Sequence, residues 1–206
     1  MGGNCPVQEL LRLQEEYNLF VYIDDAHGVS IIGKNGEGYA RNFYNSLGEN
    51  TIIATSLGKG FGASGGMVMV GNTNFEDFIR RYALPYAFSV GGNIAAIGAA
   101  LGSVKVHKSN ELIERQLQLQ KNIAFFDSNY STEYVNPILP IRMISMNSEK
   151  EAITFTEYLL KKHQIYVSAV FFPTVPQGKP ALRISLSADH QEENLLELIS
   201  LIEMNS

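Results

Sequence analysis

Two apolar runs in this chain end in residues that could do chemistry. Leu19-Phe20-Val21-Tyr22-Ile23 leads straight into Asp24-Asp25-Ala26-His27-Gly28, and Thr51-Ile52-Ile53-Ala54-Thr55 passes into Ser56-Leu57-Gly58-Lys59-Gly60-Phe61-Gly62. Ligands of open α/β sheets sit outside the carboxyl ends of the strands, which is where Asp24 and His27 are expected. Lys59 stands among glycines, so little side-chain bulk would shield it from a ligand. An acid, an imidazole and an amine at neighbouring strand ends suit an amine nucleophile beside charge-stabilising partners. A lysine that forms Schiff bases must be partly desolvated so that its amine can lose its proton. On the residues alone a second reading stands beside this one. Lys59 would be a solvated lysine in a glycine loop, Asp24 a cap, and His27 a histidine bonded to backbone.

The elements that must position these residues follow from periodicity. Pro6 followed by Val7, Leu10, Leu11 and Leu13 predicts an amphipathic helix with proline in its first turn. The run 19–23 predicts a strand buried on both faces of a parallel sheet. Residues 51–55 and 67–70 predict two further buried strands, and 75–82 and 94–106 two helices. Alternation of helix and strand indicates an α/β layer architecture, with a mostly parallel sheet. After about residue 108 the pattern changes. Residues 110–126 predict a long polar-faced helix, and 137–145, 165–171 and 182–186 predict strands. Ser148 with Glu151 predicts a capping box for a helix to about Lys162, and Asp189 with Glu192 caps a last helix. Leu195, Leu198, Ile199 and Ile202 fall on one face of that last helix. The division expected is 1–108 and 109–206, the latter a linking helix and a small α+β domain.

Bulk properties narrow the classes. A formal net charge of -5 argues against a nucleic-acid binder, whose surface must be positive. No apolar stretch reaches the length of a membrane span, and residues 1–6 lack the basic and apolar segments of a signal peptide. The single cysteine, Cys5, has no partner for an intramolecular disulfide and fits a reducing, cytoplasmic setting. His107, His163 and His190 have no metal-like spacing and read as structural or exposed.

The motif Asp24-Asp25-Ala26-His27, followed by Lys59 at 32 positions from His27, resembles the paired cofactor motifs of the α-oxoamine synthases. These are pyridoxal-phosphate (PLP) enzymes of fold type I, related to class II aminotransferases. Pro85-Tyr86-Ala87-Phe88-Ser89 is similar to the family's Tyr-x-Phe-Ser segment. Val175-Pro176-Gln177-Gly178 with residues 182–190 is similar to its C-terminal block. The resemblance implies the C-terminal part of a PLP-binding large domain, then a small domain. It implies that Lys59 holds PLP as a Schiff base and later shuttles protons at the substrate α-carbon. Asp24 would pair with the pyridinium nitrogen, Ala26 would lie flat under the ring, and His27 would bond the phenolic oxygen. Ser56, where the family often has threonine, would donate to the phosphate. Ser89 would reach the phosphate of the other subunit's cofactor, since the family forms dimers with shared sites. Arg183 would grip the substrate carboxylate, where a planar fork matches a planar anion. Asp25 would face away, with no catalytic role.

The reaction so implied is decarboxylative condensation of an amino acid with an acyl-CoA, or another acyl thioester, to an α-amino ketone. Three departures stand out. Ala181 replaces the first of two arginines frequent in the C-terminal block, and Ser30 stands where glycine is usual, although Gly33 is kept. The third is length, since relatives are about twice as long and carry an N-terminal half. The sequence therefore reads as a truncated product or one piece of a split protein, completed by a separate N-terminal half. Other readings are a different fold-type I PLP enzyme, such as an aminotransferase, and a catalytically silent subunit or fragment.

Overall fold

The computed structural model describes residues 3–132 and 138–205. Two compact units divide the chain, Cys5–Glu114 and the residues from Arg115 onward. In the first, α1 (Val7–Tyr17) starts just after Pro6, whose missing N–H costs nothing at a helix start. It leads to β1 (Val21–Asp24), a 3-10 turn at Ala40–Phe43, β2 (Thr51–Ser56) and β3 (Gly66–Val70). The helices α2 (Thr73–Tyr82), α3 (Leu84–Ala87) and α4 (Ile94–His107) follow. Val7, Val21, Ile23, Ala40, Tyr44 and Ile53 form the core of this unit.

The three strands lie in the order β1-β2-β3, with β1 and β2 parallel and β2 and β3 antiparallel. The sheet is therefore mixed rather than mostly parallel. The connection Leu57–Gly65 doubles straight back, and a parallel partner would need a crossover of about a dozen residues or more. Nor is β1 buried on both faces. Val21 and Ile23 are covered by the core while Tyr22 is 64% exposed, because this unit packs only one face of that strand. A similar mismatch marks α4, an apolar helix with no buried residue among those described; Ile94 is 87% exposed. Helices apolar all round ordinarily lie inside a protein.

The second unit contains most of α5 (Asn110–Asn129), then β4 (Ile141–Ser145), α6 (Glu149–His163), β5 (Ser168–Val170), β6 (Ala181–Ser185) and α7 (Glu192–Asn205). Its strands form an antiparallel sheet in the order β4-β6-β5. Leu195, Leu198, Ile199 and Ile202 of α7 are buried on one face, as their spacing predicts. Two strands are shorter than periodicity suggests, and Pro137, expected at the start of one, lies outside the described residues. Ser148 caps α6 by accepting from Glu151 N–H at 3.1 Å, but the Glu151 carboxylate turns to Asn147 instead of closing the box. Asp189 does not cap α7; the helix starts at Glu192, and the Asp189 carboxylate lies 3.6 Å from Arg115.

One charged group in this unit is fully buried. Arg142 on β4 makes paired bonds of 2.6 Å to both carboxylate oxygens of Asp127 and donates to the Leu139 and Ile141 carbonyls. The half-buried His190 accepts from the Ser187 N–H through Nδ1 at 3.2 Å. Burial pushes its pKa below the ordinary imidazole value, against an opposing pull from Asp189. Folded His190 thus binds a proton more weakly than unfolded His190, so the unfolded chain takes up more protons as pH falls below the ordinary value. Stability contributed here is present at neutral pH and lost on acidification through that window. The thermal midpoint is expected to fall between neutral pH and about pH 5, and to fall less in His190→Asn. Equal pH dependence in both proteins would refute this.

Candidate active site

Parallel pairing explains how residues far apart in sequence meet. β1 and β2 run side by side with Val21 opposite Thr51 and Asp24 opposite Ala54, and Asp25 N–H extends the ladder to Ala54 O at 2.8 Å. β2 runs two residues further, to Ser56, and both strands pass into loops at the same end of the sheet. His27 lies just past the end of β1 and Lys59 just past the end of β2. Their side chains meet, with Lys59 Nζ 3.1 Å from His27 Nε2. An ammonium can only donate, so in that state His27 accepts at Nε2 and carries its ring proton on Nδ1. Both side chains are exposed, so the described residues leave Lys59 open, as its glycine neighbours imply, and do not supply the desolvation that a Schiff-base lysine needs.

The β1 loop is held by the buried residue Asp25. Its carboxylate accepts from Ala40 N–H at 2.8 Å, its backbone carbonyl accepts from Gly28 N–H at 3.1 Å, and the nearby Tyr39 and Gly28 N–H groups favour its charged form. Burial pushes its pKa up, partly offset by these bonds. Gly28 is required here, since a Cβ would come within 2.1 Å of the Asp25 carboxylate. Asp24 points the other way, is exposed, and accepts from Ala26 N–H at 2.9 Å. Ala26 itself is buried. Ser30 adopts a left-handed φ of 72°, a conformation that glycine takes more readily.

The Lys59 loop is a compact turn. Ala63 N–H bonds Leu57 O at 2.7 Å, Gly62 N–H bonds Lys59 O at 2.9 Å, and Gly62 takes a φ of 74°. Ser56 Oγ accepts from Gly58 N–H at 3.2 Å, leaving its O–H available to donate. Lys59, His27, Asp24, Ala26 and Ser56 thus gather at one edge of the sheet. Ser89 lies on the exposed stretch between α3 and α4, where its hydroxyl donates to Tyr86 O.

Arg183 belongs to the second unit. It lies on β6 opposite Met143 and Ser168, half-buried, and its guanidinium makes no hydrogen bond or ion pair with the described residues. It lines a groove of about 590 Å³ with His163, Tyr166 and His190. An arginine fork with no internal partner is available to an anion. No group of three or more metal-binding side chains occurs among the described residues, nor a helix long and apolar enough to cross a membrane.

His107 escapes sequence reasoning. It closes α4 with both ring nitrogens engaged, at 2.9 Å from Ser30 Oγ and 2.8 Å from Ser103 O. Its spacing from Ser103 is the only local signal of this, because the contact with Ser30 spans 77 residues.

With fold and strand-end cluster in place, comparison with known proteins is decisive about class. The chain belongs to the aminotransferase class I and II family, whose pattern matches residues 2–202. It is 32% identical over 206 residues to the 8-amino-7-oxononanoate synthase of Marinomonas sp. (strain MWYL1), covering 98% of this chain and 50% of that protein. Among solved structures it resembles 8-amino-7-oxononanoate synthase from Francisella tularensis, with a TM-score of 0.76 and 25% identity, covering 99% of this chain and 59% of the other. It also resembles a serine palmitoyltransferase variant from S. paucimobilis with a bound PLP-myriocin aldimine. That match has a TM-score of 0.86 at 20% identity, and covers 100% of this chain and 52% of the other. The chain spans about half the length of the relatives it matches.

Proposed function

We propose that this chain carries the lysine half of a PLP-dependent acyltransferase that joins an amino acid to an acyl thioester such as an acyl-CoA. The observation that carries this reading is the 3.1 Å approach of Lys59 to His27 just past the ends of two parallel strands, the first of which ends at Asp24. The available groups suit PLP: a primary amine for its aldehyde, a carboxylate for its ring nitrogen, and a hydroxyl for its phosphate. When bound, PLP supplies an electron-accepting ring conjugated to the substrate α-carbon. Asp24 keeps the ring nitrogen protonated. His27 bonds the phenolic oxygen, and Ala26 leaves room for the flat ring. Ser56 donates to the phosphate, as does Ser89 to that of the second subunit. Lys59 removes and returns the proton at the α-carbon, and Arg183 orients the substrate carboxylate. Overall the substrate α-carbon would bond the acyl carbon as the carbon–sulfur bond breaks, and free thiol and carbon dioxide would leave an α-amino ketone.

In this reading residues 1–108 belong to the PLP-binding large domain and 109–206 form the linking helix and a small α+β C-terminal domain. The bare apolar surface of α4 supports association, as a homodimer with shared sites and with a separate N-terminal half. The protein would work in the cytoplasm, without nucleic acid or membrane.

Titration of the full chain with PLP, followed by amino acid and acyl-CoA together, tests the proposal. The yellow absorbance of lysine-bound PLP should appear, and free CoA thiol should be released only when both substrates are present. Amino transfer to a 2-oxo acid without thioester would mark an aminotransferase. A colourless protein at saturating PLP would mark a silent subunit.

A further inference from the structure

We infer that His107 is a positioning residue, which ties the His27 loop to the Lys59 loop and so sets the distance between those two side chains. Its catalytic meaning rests on the function proposed above, but the tie itself is a matter of geometry. Three segments distant in sequence meet on this imidazole. From the β1 loop comes Ser30, whose Oγ lies 2.9 Å from Nε2. From the β2 loop comes Phe61, whose ring centroid lies 4.9 Å from that of His107. From α4 comes Ser103, whose carbonyl lies 2.8 Å from Nδ1 and whose hydroxyl donates to Phe61 O at 2.5 Å.

A carbonyl can only accept, so Nδ1 carries the ring proton and Nε2 accepts a hydrogen bond from the Ser30 hydroxyl. The backbone makes room for this arrangement. A Cβ on Gly36 would come within 2.8 Å of His107 Cδ2, and one on Gly60 within 3.0 Å of Val29 O. Ser30 holds a left-handed backbone that glycine takes more readily, yet glycine would have no hydroxyl for His107. Ser30 and Phe61 are close in sequence to His27 and Lys59 respectively. Those two exposed side chains keep a fixed contact only if the loops carrying them are fixed to each other. Preorganisation of this kind depends on the groups behind the reacting ones.

The test uses the full chain and three variants. His107→Phe keeps the ring against Phe61 and removes both hydrogen bonds, whereas Ser30→Ala removes one hydroxyl. His107→Gln retains an amide able to reach Ser30. The first readout needs no PLP: the ring-nitrogen NMR signals of His27, which report its contact with Lys59. In His107→Phe and Ser30→Ala these signals are expected to move towards their positions in Lys59→Ala, and in His107→Gln to return towards those of the parent. Unchanged His27 signals in Ser30→Ala, the variant least able to disturb folding, would overturn the inference. The second readout is PLP half-saturation, expected to rise by about ten- to a hundredfold in His107→Phe and Ser30→Ala. If the parent chain takes up no PLP, the proposed function fails, while the His27 signals still decide the role of His107.

Discussion

An Asp127→Ala variant is expected to lose about 3–5 kcal/mol of stability in the C-terminal unit, a large share of the roughly 5–15 kcal/mol that holds a domain folded. Arg142 is the largest fully buried side chain described, with no exposed surface, and Asp127 is only 16% exposed. Both oxygens of the carboxylate meet the guanidinium at 2.6 Å, and Nη1 donates to the Leu139 and Ile141 carbonyls. Removing Asp127 takes away the carboxylate bonded by both Nε and Nη2 of a cation that has no exposed surface. Removing both partners, as in Asp127→Leu with Arg142→Leu, is expected to cost much less, because no charge is then stranded. Urea denaturation followed by circular dichroism compares them. A loss below about 1 kcal/mol in Asp127→Ala would mean that solvent screens the pair as it does at a surface.

Lys59→Ala is expected to abolish the yellow absorbance of lysine-bound PLP and the release of CoA thiol altogether. The amine that lies against His27 is that of Lys59, 3.1 Å from Nε2, and alanine supplies none. Lys59→Arg should behave the same way, since a guanidinium keeps its proton and is no nucleophile. Asp24→Asn should still take up PLP but turn over slowly, because an amide does not hold the ring nitrogen protonated as a carboxylate does. Borohydride reduction of the parent protein, followed by peptide mass analysis, locates the attachment directly. A reduced adduct on another lysine would sink the assignment of Lys59, whatever the activity.

Much of this was legible in the linear sequence because it is encoded locally. A helix after Pro6, the apolar runs of β1 and β2, the buried face of α7 and the glycines around Lys59 need only neighbouring residues to be recognised. Local patterns mislead where burial is decided elsewhere. Residues 19–23 read as a strand enclosed on both sides, yet Tyr22 is exposed, and so is Ile94 on the apolar helix α4. Apolar composition states what a segment would bury, and packing settles whether anything covers it.

The sequence by itself determined which chemical groups are available and that Asp24, His27 and Lys59 follow strand-like runs. Tertiary structure alone decided that β1 and β2 pair in parallel with Asp24 opposite Ala54, which turns a separation of 32 residues into a 3.1 Å contact. It also decided that β3 returns antiparallel, that Arg142 is enclosed with Asp127, and that His107 meets Ser30 across 77 residues. Each of these depends on pairing between distant segments, whose register is set by the sheet and whose charges are balanced only after the chain has closed around them.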